Sequence, residues 1–152
     1  MTDGISRFVY ATYIRTTPEK LWAALTKPEF TKQYWFGVTF ETDWKAGSPW
    51  KMVLRDGLVT DEGDVAECDP PRRLALRWRH QWKPEVAAEG EAFCVIELEP
   101  MDGAVKLTIN HSIARTDSKL IEAVSGGWPR ILSNLKSLLE TGEIALKSKP
   151  GG

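Results

Sequence analysis

The spacing of apolar positions changes period three times along this chain. Ile5 to Arg15 (ISRFVYATYIR) is dense in β-branched and aromatic residues and predicts a first strand. Thr16-Thr17-Pro18-Glu19 then carries the chemistry of a helix start: a threonine cap, a proline at the first helical position and an acid in the first turn. Leu21, Trp22 and Leu25 give that helix an inner face. A second start follows at Pro28-Glu29, with Phe30, Tyr34 and Trp35 as its apolar side. From Val38 the period is two. Strands are predicted at Val38–Asp43, Trp50–Arg55, Leu58–Cys68, Leu74–Arg79, Ala92–Leu98 and Val105–His111. The breaks between them are Trp44 to Pro49, the hairpin pair Asp56-Gly57, Asp69-Pro70-Pro71, a polar loop from Gln81 to Gly90, and Met101-Asp102-Gly103. Gly63 marks a bulge within its strand.

The last change returns to a helical period. From Thr116 to Gly142, Leu120, Val124, Trp128, Ile131, Leu135 and Leu138 recur at steps of three and four, one apolar stripe. Thr116 or Asp117 can cap the start, and Gly142 suits the left-handed residue that ends it. About 25 residues at roughly 1.5 Å each make close to 38 Å, enough to cross a small domain. Pro129 predicts a kink or restart, and Gly126-Gly127 beside it would let another backbone or a ligand come near. A meander of strands with one apolar face needs a cover, and this helix is the only large one available. The expected fold is therefore α+β, a helix-grip arrangement: a curved antiparallel sheet around a long C-terminal helix, with two short helices after the first strand closing one end.

Composition narrows the class. At 152 residues the chain suits one domain, taken as residues 1–146 with a fraying tail over 147–152. A net charge of −1 supplies no field for a polyphosphate, so no nucleic acid is expected as partner. Two cysteines, Cys68 and Cys94, make no disulfide framework, and no apolar run reaches the length of a membrane span. Nothing resembles a signal peptide, and a cytoplasmic setting is expected. Seven tryptophans in so short a chain point to a bulky core or a ligand cavity.

Five segments, in this order, resemble the SRPBCC (START-like) superfamily, in its branch of activator of heat-shock protein 90 ATPase homologue-like proteins. They are Thr17 to Glu29 (TPEKLWAALTKPE), Asp43 to Ser48 (DWKAGS), Asp69 to Leu74 (DPPRRL), Leu107 to His111 (LTINH), and Gly127-Trp128-Pro129 through Leu139-Glu140-Thr141-Gly142. The resemblance spans about residues 5 to 142. It implies the helix-grip (START-like, Bet v 1-like) fold and an internal hydrophobic cavity, but no single chemistry, since lipid carriers, receptors, cyclases and chaperone partners share the fold. ATP hydrolysis is not expected of this chain, which has no G-x-x-x-x-G-K-[ST] phosphate loop.

Candidate chemistry centres on the two histidines. Strand parity turns His111 inward with Val105, Leu107 and Ile109, and His80 inward with Leu74, Leu76 and Trp78. Both imidazoles are expected near one end of the sheet, about 10 Å apart across an intervening strand on which Ala92 or Cys94 points inward. Either histidine is a candidate general acid–base, against the plainer reading of His111 as a hydrogen-bonded core residue and His80 as a loop-edge residue. His80, Cys94 and His111 are the one metal-ligand trio to weigh, but ligands must close to about 2.0–2.3 Å and neighbouring strands do not bring them so near. No metal and no cofactor are expected. Glu62 and Asp64 would face inward if Ala66 and Cys68 do, but a bulge at Gly63 would flip the parity, and a solvated acidic edge is the favoured reading.

The cavity wall is expected to draw Trp22 and Trp35 from the short helices and Phe40, Trp50, Met52, Trp78, Cys94, Ile109 and His111 from the sheet. Gly127, Trp128 and Ile131 would supply it from the long helix, with Gly127 on the sheet-facing side. Trp44 and Trp82, in a turn and a loop, would form a small sticky patch if exposed. The expected function is binding of a hydrophobic or aromatic small molecule, as carrier or sensor. The alternatives are a chaperone partner, or a cyclase or dehydratase using a cavity histidine. Self-association is open.

Overall fold

The computed structural model describes residues 4–147, so the tail expected to fray falls, beyond Lys147, outside the described residues. Seven strands form one antiparallel sheet: β1 (Ser6–Ile14), β2 (Thr39–Glu41), β3 (Pro49–Val53), β4 (Val59–Asp69), β5 (Arg73–His80), β6 (Glu91–Met101) and β7 (Ala104–Ile113). Strands β2 to β7 meander in sequence order, and β1 pairs with the far side of β7, giving the order β1-β7-β6-β5-β4-β3-β2. Helices α1 (Pro18–Thr26) and α2 (Pro28–Tyr34) follow β1, a single turn α3 (Pro84–Ala87) lies within the polar loop, and α4 (Lys119–Thr141) ends the fold. This is the curved sheet and gripped helix that the hydrophobic periods predict.

The start of α1 obeys the rule its sequence advertises, and that of α4 does so one residue later than expected. The Thr17 hydroxyl accepts the Lys20 N–H at 3.2 Å, and Pro18 opens α1. Helix α4 is capped by Ser118, whose hydroxyl accepts from Ile121 at 3.1 Å, rather than by Thr116 or Asp117. Asp117 instead takes a left-handed φ of +52° in the turn before the helix. A carboxylate from the β5–β6 loop completes the cap: Glu89 accepts from the Lys119 N–H at 2.6 Å, from the Leu120 N–H at 3.3 Å and from the Ser118 hydroxyl at 2.6 Å. Burial raises the Glu89 pKa, but these donors and the nearby Arg115 outweigh it, so the net shift is downward.

Pro129 does not restart α4, which runs unbroken to a left-handed Gly142 with φ +87°. One missing hydrogen bond is outweighed by burial on both sides of it, at Leu120 and Ile121 before and at Trp128, Leu132 and Leu135 after. Asn134, fully buried on the same helix, bonds to both the N–H and the carbonyl of Leu146 and so folds the segment after α4 back along it. Helix α4 lies against β1 and β7, α2 packs on α4 and β2, and α1 reaches β6. The core fills the space these enclose.

Two register shifts shape the sheet. One falls between Met52 and Val53 on β3. The other lies on β4, where Val65 pairs with Leu76 and Glu67 with Ala75, leaving Ala66 as the extra residue. The bulge is thus at Ala66, not at Gly63. It reverses the parity of β4, so Asp61, Gly63 and Val65 face inward while Glu62 and Asp64 face outward. Asp64 pairs outside with Arg77 at 2.6 Å and with Arg79 at 3.8 Å.

Candidate functional site

Strand alternation turns Phe40, Trp50, Trp78 and His111 inward beneath α4, where rings from α2, the β2–β3 turn and α4 join them. Trp44 lies 5.8 Å from Phe40, which lies 5.0 Å from Trp35 and 5.8 Å from Trp50, centroid to centroid. Trp35 meets Trp128 of α4 at 5.1 Å, and Trp50 meets Trp78 at 4.8 Å. Trp78 then meets His111 at 4.9 Å. Most of these contacts are tilted or edge-on, the arrangement that ring quadrupoles favour. The gap they surround has a volume of about 10 Å³ and is lined by Leu25, Trp35, Phe40, Trp44, Leu74, Leu76, Trp78, Ile96 and Trp128. That is room for one water at most. The indoles occupy the space that the helix-grip outline leaves between sheet and helix.

Of the residues expected in the wall, Trp35, Phe40, Trp78 and Trp128 border this gap. Trp50, Met52, Cys94, Ile109 and His111 are buried in the layer around it, and Trp22 and Ile131 are half-buried against the core. Gly127 is half-buried on α4, and a Cβ built there would meet nothing within 4 Å, so the helix uses no close approach to the strands at this position. Trp44, the turn residue that would be sticky if exposed, is half-buried and donates its indole N–H to the Thr26 carbonyl at 3.2 Å. Trp82 is 50% exposed, as a loop residue should be. The burial-raised thiol of Cys94 and that of Cys68 are both free.

The polar groups here are Asp61, His80 and His111. Asp61 is 7% exposed; one of its oxygens accepts from the Trp78 indole N–H at 2.7 Å and lies 3.0 Å from His80 Nδ1. The other nitrogen of His80 accepts the Lys83 N–H at 3.0 Å. Its Nδ1 therefore carries the proton toward Asp61, and no nitrogen of the ring is free to take a proton from a substrate. His80 is a clamp that fixes the β5–β6 loop. Sequence reading missed Asp61, because the Ala66 bulge that turns it inward has no local signature.

His111 is fully buried, and its Nδ1 accepts the Trp128 indole N–H at 3.1 Å. Nε2 must then carry the proton, and it has no acceptor among the described residues. An unpaired buried N–H of this kind costs about 1–3 kcal/mol. Burial lowers the His111 pKa to about 4 against an opposing pull from Asp61, so the ring is neutral at neutral pH. Its one lone pair is occupied by Trp128, so His111 offers a donor but no base. Leu76 rather than His80 stands level with His111, since each pairs with Cys94, and the two imidazoles do not share a level of the sheet. Among the described residues no three His, Cys, Asp or Glu side chains converge as a metal site. No helix among them is long and apolar enough to cross a membrane.

The fold has many solved counterparts. Protein MLL2253 of Mesorhizobium loti superposes with a TM-score of 0.77 at 22% identity, over 91% of this chain and 100% of that one. The solution structure of the Aha1 dimer of Colwellia psychrerythraea matches with a TM-score of 0.70 at 22% identity, over 90% and 98%. DynU16, a protein of the dynemicin biosynthetic locus, matches with a TM-score of 0.72 at 22% identity, over 97% of this chain and 52% of that one. At such identities the likeness is one of fold. No curated protein sequence matches the chain. The family model described as "Activator of Hsp90 ATPase homolog 1-like protein" matches residues 15–140, and the chain belongs to that family.

Proposed function

We propose that this protein binds a hydrophobic or aromatic small molecule between the sheet and α4, as a carrier or sensor in the cytoplasm. One observation carries the reading: a cage of apolar rings closes on a gap bordered by a half-buried residue, Trp44, whose indole N–H holds to the Thr26 carbonyl at 3.2 Å. Because the gap is only about 10 Å³, binding requires side chains to move. Trp44 sits on the turn between β2 and β3, and moving its indole outward frees a ring-sized volume beside Trp35 and Phe40. The likeness to DynU16, itself from a biosynthetic locus, supports a small-molecule role. Neither histidine offers a free basic nitrogen, so binding is favoured over histidine catalysis.

A second reading, a protein partner of the chaperone kind, draws on the family and on the dimeric Aha1 structure. The outer face of β1, which exposes Val9 (54%) and Tyr13 (50%), suits it.

Titration with neutral N-phenyl-1-naphthylamine separates the two. Micromolar binding with quenched Trp emission is expected, and Trp44→Ala should bind at least as tightly as the parent. No binding by either protein would sink the first reading. Dimerisation by light scattering in the same samples would then favour the second.

A further inference from the structure

We propose that the Nε2–H of His111 selects the ligand of this site: an uncharged aromatic molecule carrying a hydrogen-bond acceptor, a carbonyl rather than a carboxylate. The inference rests on the binding reading above and names its chemical class.

Trp128 fixes the tautomer by donating to Nδ1, which leaves Nε2 as a donor. That donor is fully buried and no group among the described residues accepts from it. The inward cross-strand neighbours of His111 are Phe8 on β1 and Cys94 on β6, one without an acceptor and one a protonated thiol. One oxygen of Asp61, the carboxylate whose charge His111 feels, is shared by Trp78 and His80.

Trp78 and Trp128 both touch His111 and both border the gap, so a molecule that displaces the Trp78 ring while Trp128 stays on Nδ1 meets the imidazole next. An acceptor atom arriving there would form the bond that the folded chain leaves unmade. A hydrocarbon of the same shape would leave it unmade still.

The sign of the charge follows from the surroundings. Among the described residues, the buried polar side chains include no lysine or arginine, and the buried carboxylate near His111 is Asp61. The imidazole itself stays neutral, so a carboxylate ligand would lose its hydration and meet only a like charge. A ketone or ester meets neither penalty.

Three probes of nearly one shape test this on the full chain: 2-acetylnaphthalene, 2-isopropenylnaphthalene and 2-naphthoate. The ketone should bind about tenfold more tightly than the alkene, about 1.4 kcal/mol, and more tightly than the carboxylate. In His111→Phe the ketone-to-alkene ratio should fall to about one, and His111→Gln, which keeps a donor, should restore part of it. On the parent protein, the His111 Nε2–H proton resonance should move downfield with the ketone and stay with the alkene, a readout that needs no variant to fold. Equal affinity for ketone and alkene, or a preference that survives in His111→Phe, would overturn this inference and leave the binding reading standing. If none of the three binds, both fall.

Discussion

A Cβ built on Gly63 would sit 1.8 Å from the Arg77 carbonyl oxygen and 3.0 Å from the Trp50 indole nitrogen. These two atoms are bonded to each other at 3.0 Å, so the carbonyl cannot turn away without breaking that contact. Gly63→Ala must therefore shift backbone as well as side chains, and urea melts should show a loss of about 1–3 kcal/mol. Trp50 emission is the local probe: an unchanged spectrum and midpoint would show that β4 and β5 can separate more easily than this geometry implies. A glycine inside a strand was readable as a special position, but its reason was not. The bulge it suggested belongs to Ala66, an ordinary residue, and with it goes the inward turn of Asp61. Period-two counting reads a face correctly only between irregularities, and it cannot see one that has no glycine or proline to mark it. His111 was legible as an inward residue, yet its unpaired nitrogen depends on Trp128, which another element supplies.

Helix α4 shows the same limit one level up. Its stripe, its Gly142 ending and its cover of the sheet follow from spacing alone. Its true cap does not, because three cap-forming residues stand in a row at Thr116, Asp117 and Ser118, and the deciding partner, Glu89, lies about thirty residues away. The glycine pair reads differently once the packing is known. With open space at the Cβ of Gly127 and a helical backbone there, Gly127→Ala should stabilise the protein by up to about 1 kcal/mol, since alanine loses less backbone freedom on folding. A lower denaturation midpoint for this variant would mean that the pair is used for approach after all.

Across the whole molecule, the fold was legible because seven short strands and one long stripe admit few arrangements. The size of the gap was not, because it is what remains after seven aromatic rings have packed, and no spacing encodes that remainder. The same crowding sets the response to acid. A buried His111 with a lowered pKa contributes stability that is complete above the unfolded value near 6.5 and declines as pH falls toward about 4. Across that window the loss should approach about 3 kcal/mol, and in His111→Gln this part of the pH dependence should vanish. Further acid should release Glu89 and Glu140, both held below the usual carboxylate range, and loosen both ends of α4. Identical pH–stability curves for parent and variant would refute the assignment to His111. The strand order carries a consequence for synthesis. Among the described residues the first strand pairs only with β7 and is covered by α4, with Arg15 bonded to Glu140 and Tyr13 to Lys136. On the ribosome, the aromatic face of Phe8 and Tyr10 therefore emerges well before the β7 and α4 that shelter it. Until those two elements follow, the domain presents an unfinished edge, and only their arrival lets the contacts of β1 form.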